Sequence, residues 1–312
     1  MAYQPMKDIN VPGPKREFVG YGRHVPRVRW PQNARIAVSF VLNYEEGSEY
    51  SHPAGDKQND GLQEVIYAMD PQYRDLAVEA VFEYGSRAGI WRVERLFSEY
   101  KIPLTFYACA VALERNPEVA AWIKEAKHEP CCHGWRWEEM WRLTREQERE
   151  HMQMAIESIR QSVGQRPEGW YCRYGPSVHT RELLVEDGGF VYDSDTYNDD
   201  LPYYVDVKGK QHLVIPYSFT YNDGKFGLLP GYASPQDFVD TLKRGFDVLW
   251  QEGETHPRMM SIGLHPRLIG QATRISALRE FIDYAHQKGE VWFCKRIDIA
   301  HWWNAHHHEF KP

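Results

Sequence analysis

Short apolar runs alternate with helical patterns along most of this 312-residue chain, and that alternation limits the folds open to it. The first run, residues 34–43, is almost continuously apolar, as strands buried on both faces of a parallel sheet are. Strands that are each followed by a helix predict βα units in a mostly parallel sheet. The predicted strands cover residues 34–43, 104–108, 129–133, 169–173, 190–193, 214–218, 259–264 and 291–295.

Helical patterns separate these runs, and several carry end signals. Thr144 and Gln147 form a capping-box pattern, Ser234 precedes a proline at a first helical position, and Gly188 follows a helix. Predicted helices cover residues 90–100, 117–127, 144–163, 180–188, 235–251, 275–287 and 297–304. The sequence therefore predicts an α/β fold, a distorted (β/α) barrel of seven or eight units. An open nucleotide-binding sheet is disfavoured because no Gly-x-Gly-x-x-Gly follows the first strand.

The chain divides into an extension, one large domain and a short tail. Residues 1–30 are predicted to pack on the barrel or on a neighbouring subunit, and residues 31–305 to form a single catalytic barrel. Residues 306–312 are predicted to be a tail whose three histidines are incidental. The segment 47–85 is rich in Gly, Asp, Pro and Ser and is predicted to be a functional loop.

Composition and charge exclude several kinds of partner. The net charge is −7 and Lys and Arg do not cluster, which argues against nucleic acid and anionic membranes. The first residues lack the apolar segment of a signal peptide, and the apolar stretch 36–42 is too short to span a bilayer. Five cysteines without a Cys-x-x-Cys pair suit reduced thiols. We therefore expect a cytoplasmic enzyme with a small-molecule substrate.

Ionisable side chains follow five of the predicted strands, at the ends where barrel active sites are built. They are Glu45 and Glu46, His133, Arg173, Asp193 and Asp195, and His265. Each alone has a simpler interpretation. One of the two adjacent glutamates could be a solvated loop residue, His133 could be a hydrogen-bonded core histidine, and Arg173 is expected to pair with Asp193 or Asp195. Their coincidence at one end of the barrel favours a catalytic site.

The segment from His133 to Trp137 reads His-Gly-Trp-Arg-Trp, with an indole where His-x-x-x-His would place a second imidazole. Together with Glu45-Glu46-Gly47, Arg173, Tyr192-Asp193 and Leu264-His265, it resembles the five motifs of the polysaccharide deacetylases, which have a NodB-like distorted barrel. In that family the first motif supplies a base and a metal ligand, and the second supplies two histidine ligands. The resemblance places Glu45 as the base, Glu46 and His133 as ligands and Trp137 at the last ligand position. Indole has no lone pair for a cation.

Five segments are more similar to one branch of that family, the bacterial allantoinases. They are residues 43–47, 83–87, 133–137, 199–202 and 268–270. The branch implies hydrolysis of a cyclic amide, allantoin or a related ring, in purine catabolism by a homo-oligomer that requires no metal. The chain departs from the branch at Tyr171-Cys172-Arg173-Tyr174-Gly175 and at His265-Pro266-Arg267, which leaves the identity of the ring open.

The chemistry of amide hydrolysis then suggests roles for these side chains. Glu45, with a pKa raised by burial and by Glu46, would take a proton from water, and His133 would orient that water or donate to the oxyanion. Arg173 or Arg267 would hold a carbonyl or the developing negative charge, and His265 would protonate the leaving nitrogen. The predicted substrate-binding residues are Glu46, Arg87, Trp135, Trp137, Arg173, Asp195 and Arg267. No metal and no cofactor is predicted.

Two other functions stay open at this stage. A zinc-dependent N-deacetylase of acetylated amino sugars would use the remaining Glu46 and His133. A catalytically inactive binding protein on the same barrel is disfavoured because Glu45, His133 and His265 are all reactive residue types.

Overall fold

One sheet curls into an incomplete barrel through the described part of the chain. The computed structural model describes residues 9–61, 67 and 69–312. The strands are β1 (Ile36–Tyr44), β2 (Leu104–Ala108), β3 (Glu129–Cys132), β4 (Gly169–Trp170), β5 (Tyr192–Asp193), β6 (Tyr203–Val207), β7 (Lys210–Val214), β8 (Arg258–Leu264) and β9 (Val291–Phe293). Their order is β6-β7-β5-β4-β3-β2-β1-β8, and β9 pairs with the beginning of β1.

The sheet is parallel apart from the β6–β7 hairpin. β1 is the last strand but one in this order, pairs with β2, β8 and β9, and has all nine residues buried. Burial on both faces explains why its sequence is a continuous apolar run without alternation.

The barrel is not closed between its end strands, β6 and β8. In the described residues these strands share no ladder, and an isolated parallel bridge from Asn222 to Gly263 connects β8 with the segment after β7. The arrangement confirms the predicted α/β fold with a distorted (β/α) barrel, and it brings the carboxyl ends of β1, β3 and β8 to one face.

Helices lie outside the sheet and follow the predicted alternation. They are α1 (Leu76–Tyr84), α2 (Ile90–Tyr100), α3 (Ala110–Arg115), α4 (Pro117–Glu125), α5 (Arg145–Val163), α6 (Thr180–Asp187), α7 (Pro235–Glu252), α8 (Pro266–Ile269), α9 (Arg274–Lys288) and α10 (Arg296–His306). The predicted capping box of Thr144 and Gln147 is present, Ser234 caps α7, and Gly188 ends α6 with a φ of 78°.

Three parts of the chain differ from the prediction. The segment 47–85 is not a loop throughout, because α1 begins after Asp75, whose carboxylate accepts hydrogen bonds from two amides of its first turn. Residues 62–66 and 68 of that segment lie outside the described residues. The strand predicted at 214–218 lies earlier, at Lys210–Val214, because it pairs with the unpredicted β6. The short helix α3, directly after β2, was also not predicted.

Arg296, at the start of α10, fills the interior of the barrel. It is fully buried, and its guanidinium donates to Ser194 Oγ at 3.0 Å, to the carbonyls of Ile215 and Pro216 at 2.6 and 2.8 Å, and to Ser261 Oγ. These neutral acceptors satisfy a buried cation at the barrel centre.

The end of the extension, residues 25–30, and the C-terminal residues pack against the barrel, whereas residues 9–20 are exposed. Trp30 is buried and its Nε1 donates to Arg258 O at 2.8 Å, while the Arg27 amide donates to Lys311 O at 2.9 Å. Residues 306–312 continue directly from α10, and Phe310 packs on Trp303. Contact of the extension with a neighbouring subunit stays a prediction. In the described ranges we find no helix with both the length and the apolar character needed to cross a membrane.

Candidate active site

Glu45, His133 and His265 meet at the carboxyl ends of three strands. Glu45 follows β1, His133 follows β3 and His265 follows β8, and the side chains of the first two are almost fully buried. Glu45 Oε1 lies 3.2 Å from His133 Nε2 and 3.7 Å from His265 Nε2. The structure therefore brings together the three residues predicted to be catalytic.

The His133 ring is held from its other nitrogen. Its Nδ1–H donates to the carbonyl of Tyr171 at 2.7 Å, and the imidazole stacks on the Tyr171 ring with a centroid distance of 5.2 Å. A carbonyl can only accept, so Nδ1 carries a proton and Nε2 faces Glu45. His133 thus orients the Glu45 carboxylate.

His265 is paired with an acid that the sequence did not indicate. Its Nδ1 lies 2.6 Å from Asp223 Oδ1, and the amides of His265 and Ile269 donate to Asp223 Oδ2 at 2.8 and 3.1 Å. Burial lowers the pKa of His265, but the charge and hydrogen bond of Asp223 and the charge of Glu45 outweigh it, so the pKa is raised. The ring keeps its Nε2 towards Glu45, and the raised pKa stabilises its protonated form relative to that of a free imidazole.

Arg267 changes the predicted ionisation of Glu45. Burial alone would raise the Glu45 pKa, but the charges of Arg267, His265 and His133 outweigh it and hold the pKa well below its usual range. Arg267 Nη2 lies 2.7 Å from Glu45 Oε2. The prediction of a raised pKa at Glu45 was therefore wrong, because it did not include an arginine at this position.

Glu46 is the carboxyl whose pKa is raised. Burial is the largest cause and the Glu45 charge adds to it, while Arg267, whose Nη1 lies 3.5 Å from Glu46 Oε1, opposes both. Glu46 Oε2 accepts the Glu45 amide at 3.0 Å. The pKa values of the two adjacent glutamates are therefore shifted in opposite directions, that of Glu45 downward and that of Glu46 upward.

Glycines in the turn between α1 and α2 allow this close packing. A Cβ at Gly85 would lie 2.7 Å from Glu46 Cγ and 2.8 Å from its Cδ, and one at Gly89 would overlap the Pro266 carbonyl. The turn, Gly85–Gly89, is a π-helical turn. Its Arg87, predicted to bind substrate, has a side chain 78% exposed that pairs with Glu83, so the structure does not bring it to the cluster.

A Gly85→Ala substitution is expected to lower kcat by about 10-fold to 100-fold, because the added methyl group must displace Glu46 and, through it, Arg267. The melting temperature should stay close to that of the parent protein, so that the lower rate cannot be attributed to unfolding. The matched control is Gly175→Ala, where an added Cβ meets no atom within 4 Å. Equal rates for the Gly85 variant and the parent protein would contradict the proposed role of this packing.

Arg173 has a different partner from the one predicted. Its Nη1 and Nη2 donate to Asp60 at 2.7 and 2.8 Å, and Nη1 also donates to Trp137 O at 2.8 Å. The expected pairing with Asp193 or Asp195 was wrong, since Asp193 is bound instead by Arg181 and His212. Arg173 lies over the Trp137 ring at 3.7 Å, so it holds the aromatic wall and the segment 48–60 together.

Of the remaining predicted substrate-binding residues, one lies beside the cluster and two lie away from it. Trp137 is buried against Phe82, Arg173 and Arg267 and forms a wall of the site. Trp135 packs on His151, away from the cluster. Asp195 accepts from the Cys172 amide at 2.8 Å, and burial, with the Asp193 charge, raises its pKa to about 7. Neither has a contact with Glu45, His133 or His265 in the described residues.

Three buried polar atoms around the cluster have no hydrogen-bond partner in the described structure. They are Glu45 Oε2, Arg173 Nε and Arg267 Nε. Glu45 Oε2 is close to Arg267 Nη2, yet the two are not aligned for a hydrogen bond. Buried polar atoms without partners are costly, so these atoms mark where a polar molecule would be bound.

The donor set here does not fit a divalent metal ion. Trp137 offers an N–H and no lone pair, and the positive charge between the two glutamates already comes from Arg267. Within the residues that the structure describes, no group of three or more His, Cys, Asp or Glu side chains is arranged to hold a metal.

Comparisons with known proteins agree with this geometry. The polysaccharide deacetylase family model matches residues 72–192. A Schizosaccharomyces pombe protein described as a polysaccharide deacetylase is 37% identical over 308 residues, 92% of this chain and 95% of that protein. The crystal structure of PuuE allantoinase has 46% identity and a TM-score of 0.91, over 96% of this chain and 99% of that one. A Pseudomonas aeruginosa structure described as a polysaccharide deacetylase has 46% identity and a TM-score of 0.90, over 94% and 98%.

Proposed function

The chain belongs to the polysaccharide deacetylase family, and we propose that it opens the ring of allantoin or a related hydantoin with acid–base side chains and without a metal. It is a hydrolase of carbon–nitrogen bonds other than peptide bonds. The ring substrate is supported by the similarity to an allantoinase over nearly the whole chain. The proposal that hydrolysis needs no metal rests on the position of Arg267, whose guanidinium lies between Glu45 and Glu46 and supplies positive charge there.

Glu45 receives the proton of the attacking water. Its carboxylate is held ionised by Arg267, so it is ready to accept, and His133 fixes its orientation from 3.2 Å. A low pKa reduces the driving force for that transfer. A substrate oxygen that draws Arg267 away from Glu45 would raise that pKa and make the carboxylate a better base at the moment of attack.

His265 supplies the proton that the ring nitrogen needs when the carbon–nitrogen bond breaks. Asp223 holds Nδ1, which leaves Nε2–H of the imidazolium as the donor. After ring opening, Glu45 carries a proton and His265 lacks one. Glu45 Oε1 and His265 Nε2 are 3.7 Å apart, so the proton can return from one to the other, directly or through one water.

Arg267 and Trp137 account for substrate binding. Arg267 Nε–H has no partner among the described residues and can donate to the carbonyl oxygen as negative charge develops there. Trp137 lies in the wall of the site beside Arg267, whose guanidinium is 5.3 Å from the indole, and adds an apolar surface there. Arg173 acts through Trp137 and Asp60 and is a positioning residue.

Allantoin and an N-acetylated chito-oligomer, assayed in parallel with and without EDTA, test the proposal. We expect ring opening to a carboxylate with allantoin, measured as released acid, at a rate that a chelator leaves unchanged. No release of acetate is expected from the sugar. Chelator-sensitive acetate release, restored by zinc, would contradict both parts and support a metal-dependent N-deacetylase.

We also infer a cytoplasmic homo-oligomer. All five cysteines are buried and unpaired, which suits a reducing compartment. Exposed apolar side chains lie at Phe219, Leu228 and Leu229, a surface that a second subunit could cover. Light scattering of the purified protein measures the oligomeric state.

A further inference from the structure

A cavity lies at the end of the barrel opposite Glu45, His133 and His265. It has a volume of about 290 Å³ and is lined by residues that precede β3 and β4 and by the start of α10. The lining residues used below are Lys124, Lys127, His128, Glu129, Arg166 and Lys295. We call it the basal cavity. Its volume suits a small metabolite rather than a polymer.

Positive charge in the basal cavity is only partly compensated. Lys295 pairs with Asp298 at 3.5 Å and Arg166 pairs with Asp187. Lys124 and Lys127 are exposed and make no ion pair or side-chain hydrogen bond within the described residues. Four cationic side chains therefore line the cavity, two of them without an ion-pair partner in the described residues, in a chain whose net charge is −7.

His128 adds a fixed neutral donor. The Leu104 amide donates to its Nδ1 at 3.1 Å, so the ring proton is on Nε2. Burial and the nearby Lys295 lower the pKa of His128 to about 4, which keeps the ring neutral. The residue is 7% exposed and its ring packs on Phe106 and Trp122, yet Nε2 has no partner in the described structure.

Two acidic residues, Glu129 and Glu168, line the cavity. Glu168 is exposed, so water screens its charge, whereas Glu129 is buried and hydrogen-bonded. Glu129 accepts hydrogen bonds from Tyr192 Oη, Thr105 Oγ1 and the Ile297 amide, at 2.7, 2.7 and 2.9 Å. Its acceptor oxygens are therefore already occupied, and burial raises its pKa.

We propose that the basal cavity binds the phosphate group of a small anion. Lysine ammonium groups, a guanidinium and a fixed N–H all belong to residues that line this cavity, and these are donor types that a tetrahedral dianion uses. The anion could be free phosphate or a phosphorylated metabolite, since both carry the same group. The proposal does not rest on the proposed ring hydrolysis.

Calorimetric titration of the full-length protein with inorganic phosphate, at constant ionic strength, tests this site. We expect one saturable site whose affinity falls about 10-fold or more in the Lys124→Gln/Lys127→Gln double variant, because two charged donors are lost. Both side chains are exposed, so the variant should fold normally. Lys210→Gln, an exposed lysine outside the cavity, is the matched control and should bind like the parent.

Ribose 5-phosphate distinguishes the two sources of the anion. Tighter binding than phosphate, lost in the double variant, supports a phosphorylated metabolite, whereas weaker binding supports free phosphate. An absence of saturable phosphate binding overturns the proposal. Equal affinity in the parent and the double variant also overturns it, because the phosphate is then bound elsewhere.

Discussion

A Glu45→Gln variant is expected to open the allantoin ring about 100-fold or more slowly than the parent, because an amide cannot take the proton of the attacking water. The loss should appear in kcat, since glutamine keeps the size of the side chain and can still form a hydrogen bond with His133 Nε2. The rate is measured as acid released per enzyme at saturating substrate. A melting temperature close to that of the parent would show that the variant is folded.

Glu46→Gln is the matched control for this result. Glu46 is adjacent, equally buried and in contact with Arg267, but its raised pKa favours the neutral form that glutamine resembles. We expect a loss within about 10-fold, an order of magnitude less than an essential base costs. If the two variants lost activity equally, or if Glu46→Gln lost more, the assignment of Glu45 as the base would be wrong.

The sequence was sufficient for the fold because its signals are local and repeated. Apolar runs such as that of β1 and caps such as Thr144 each describe a short segment, and their alternation limits the topology. The β6–β7 hairpin was not predicted, because its first strand is half-buried or exposed over most of its length and therefore has no apolar run.

Strand ends also predicted from the sequence which candidate side chains would lie together. In a parallel barrel the carboxyl ends of all strands meet on one face, so Glu45, His133 and His265 could be placed together without knowing any distance. Residues from irregular segments could not be placed in this way. Asp223 and Asp60 reach the site from turns whose path depends on the packing of the whole chain.

The ionisation of the glutamates depended on such packing as well. Adjacent carboxyls suggest mutual repulsion, but which of them ionises is decided by Arg267, whose side chain is directed by the turn after β8. Trp135 and Arg87 show the limit of motif reasoning. Both belong to the segments that resemble allantoinases, yet their side chains point to a helix contact and to the surface.

Replacing His265 with Ala is expected to lower kcat by about 100-fold to 10,000-fold, because the leaving nitrogen then departs without a proton from the enzyme. Added imidazole should restore part of the rate, since its cation can occupy the vacated space and supply the proton. The assay is the same acid release, with imidazole varied at constant ionic strength. A parental rate without imidazole would show that another group is the acid.

The pH dependence separates the acid role of His265 from a structural one. The charge of Asp223 raises the His265 pKa, so the proton donor is present at low pH and is lost as pH rises through that raised value. Asp223→Asn removes the charge, and the fall of kcat on the alkaline side should therefore begin at lower pH than in the parent. If the rate fell but the alkaline side of the pH profile did not move, a group other than His265 would cause the loss of activity at high pH. Asp223 would then only hold the backbone amides of His265 and Ile269, from which it accepts hydrogen bonds.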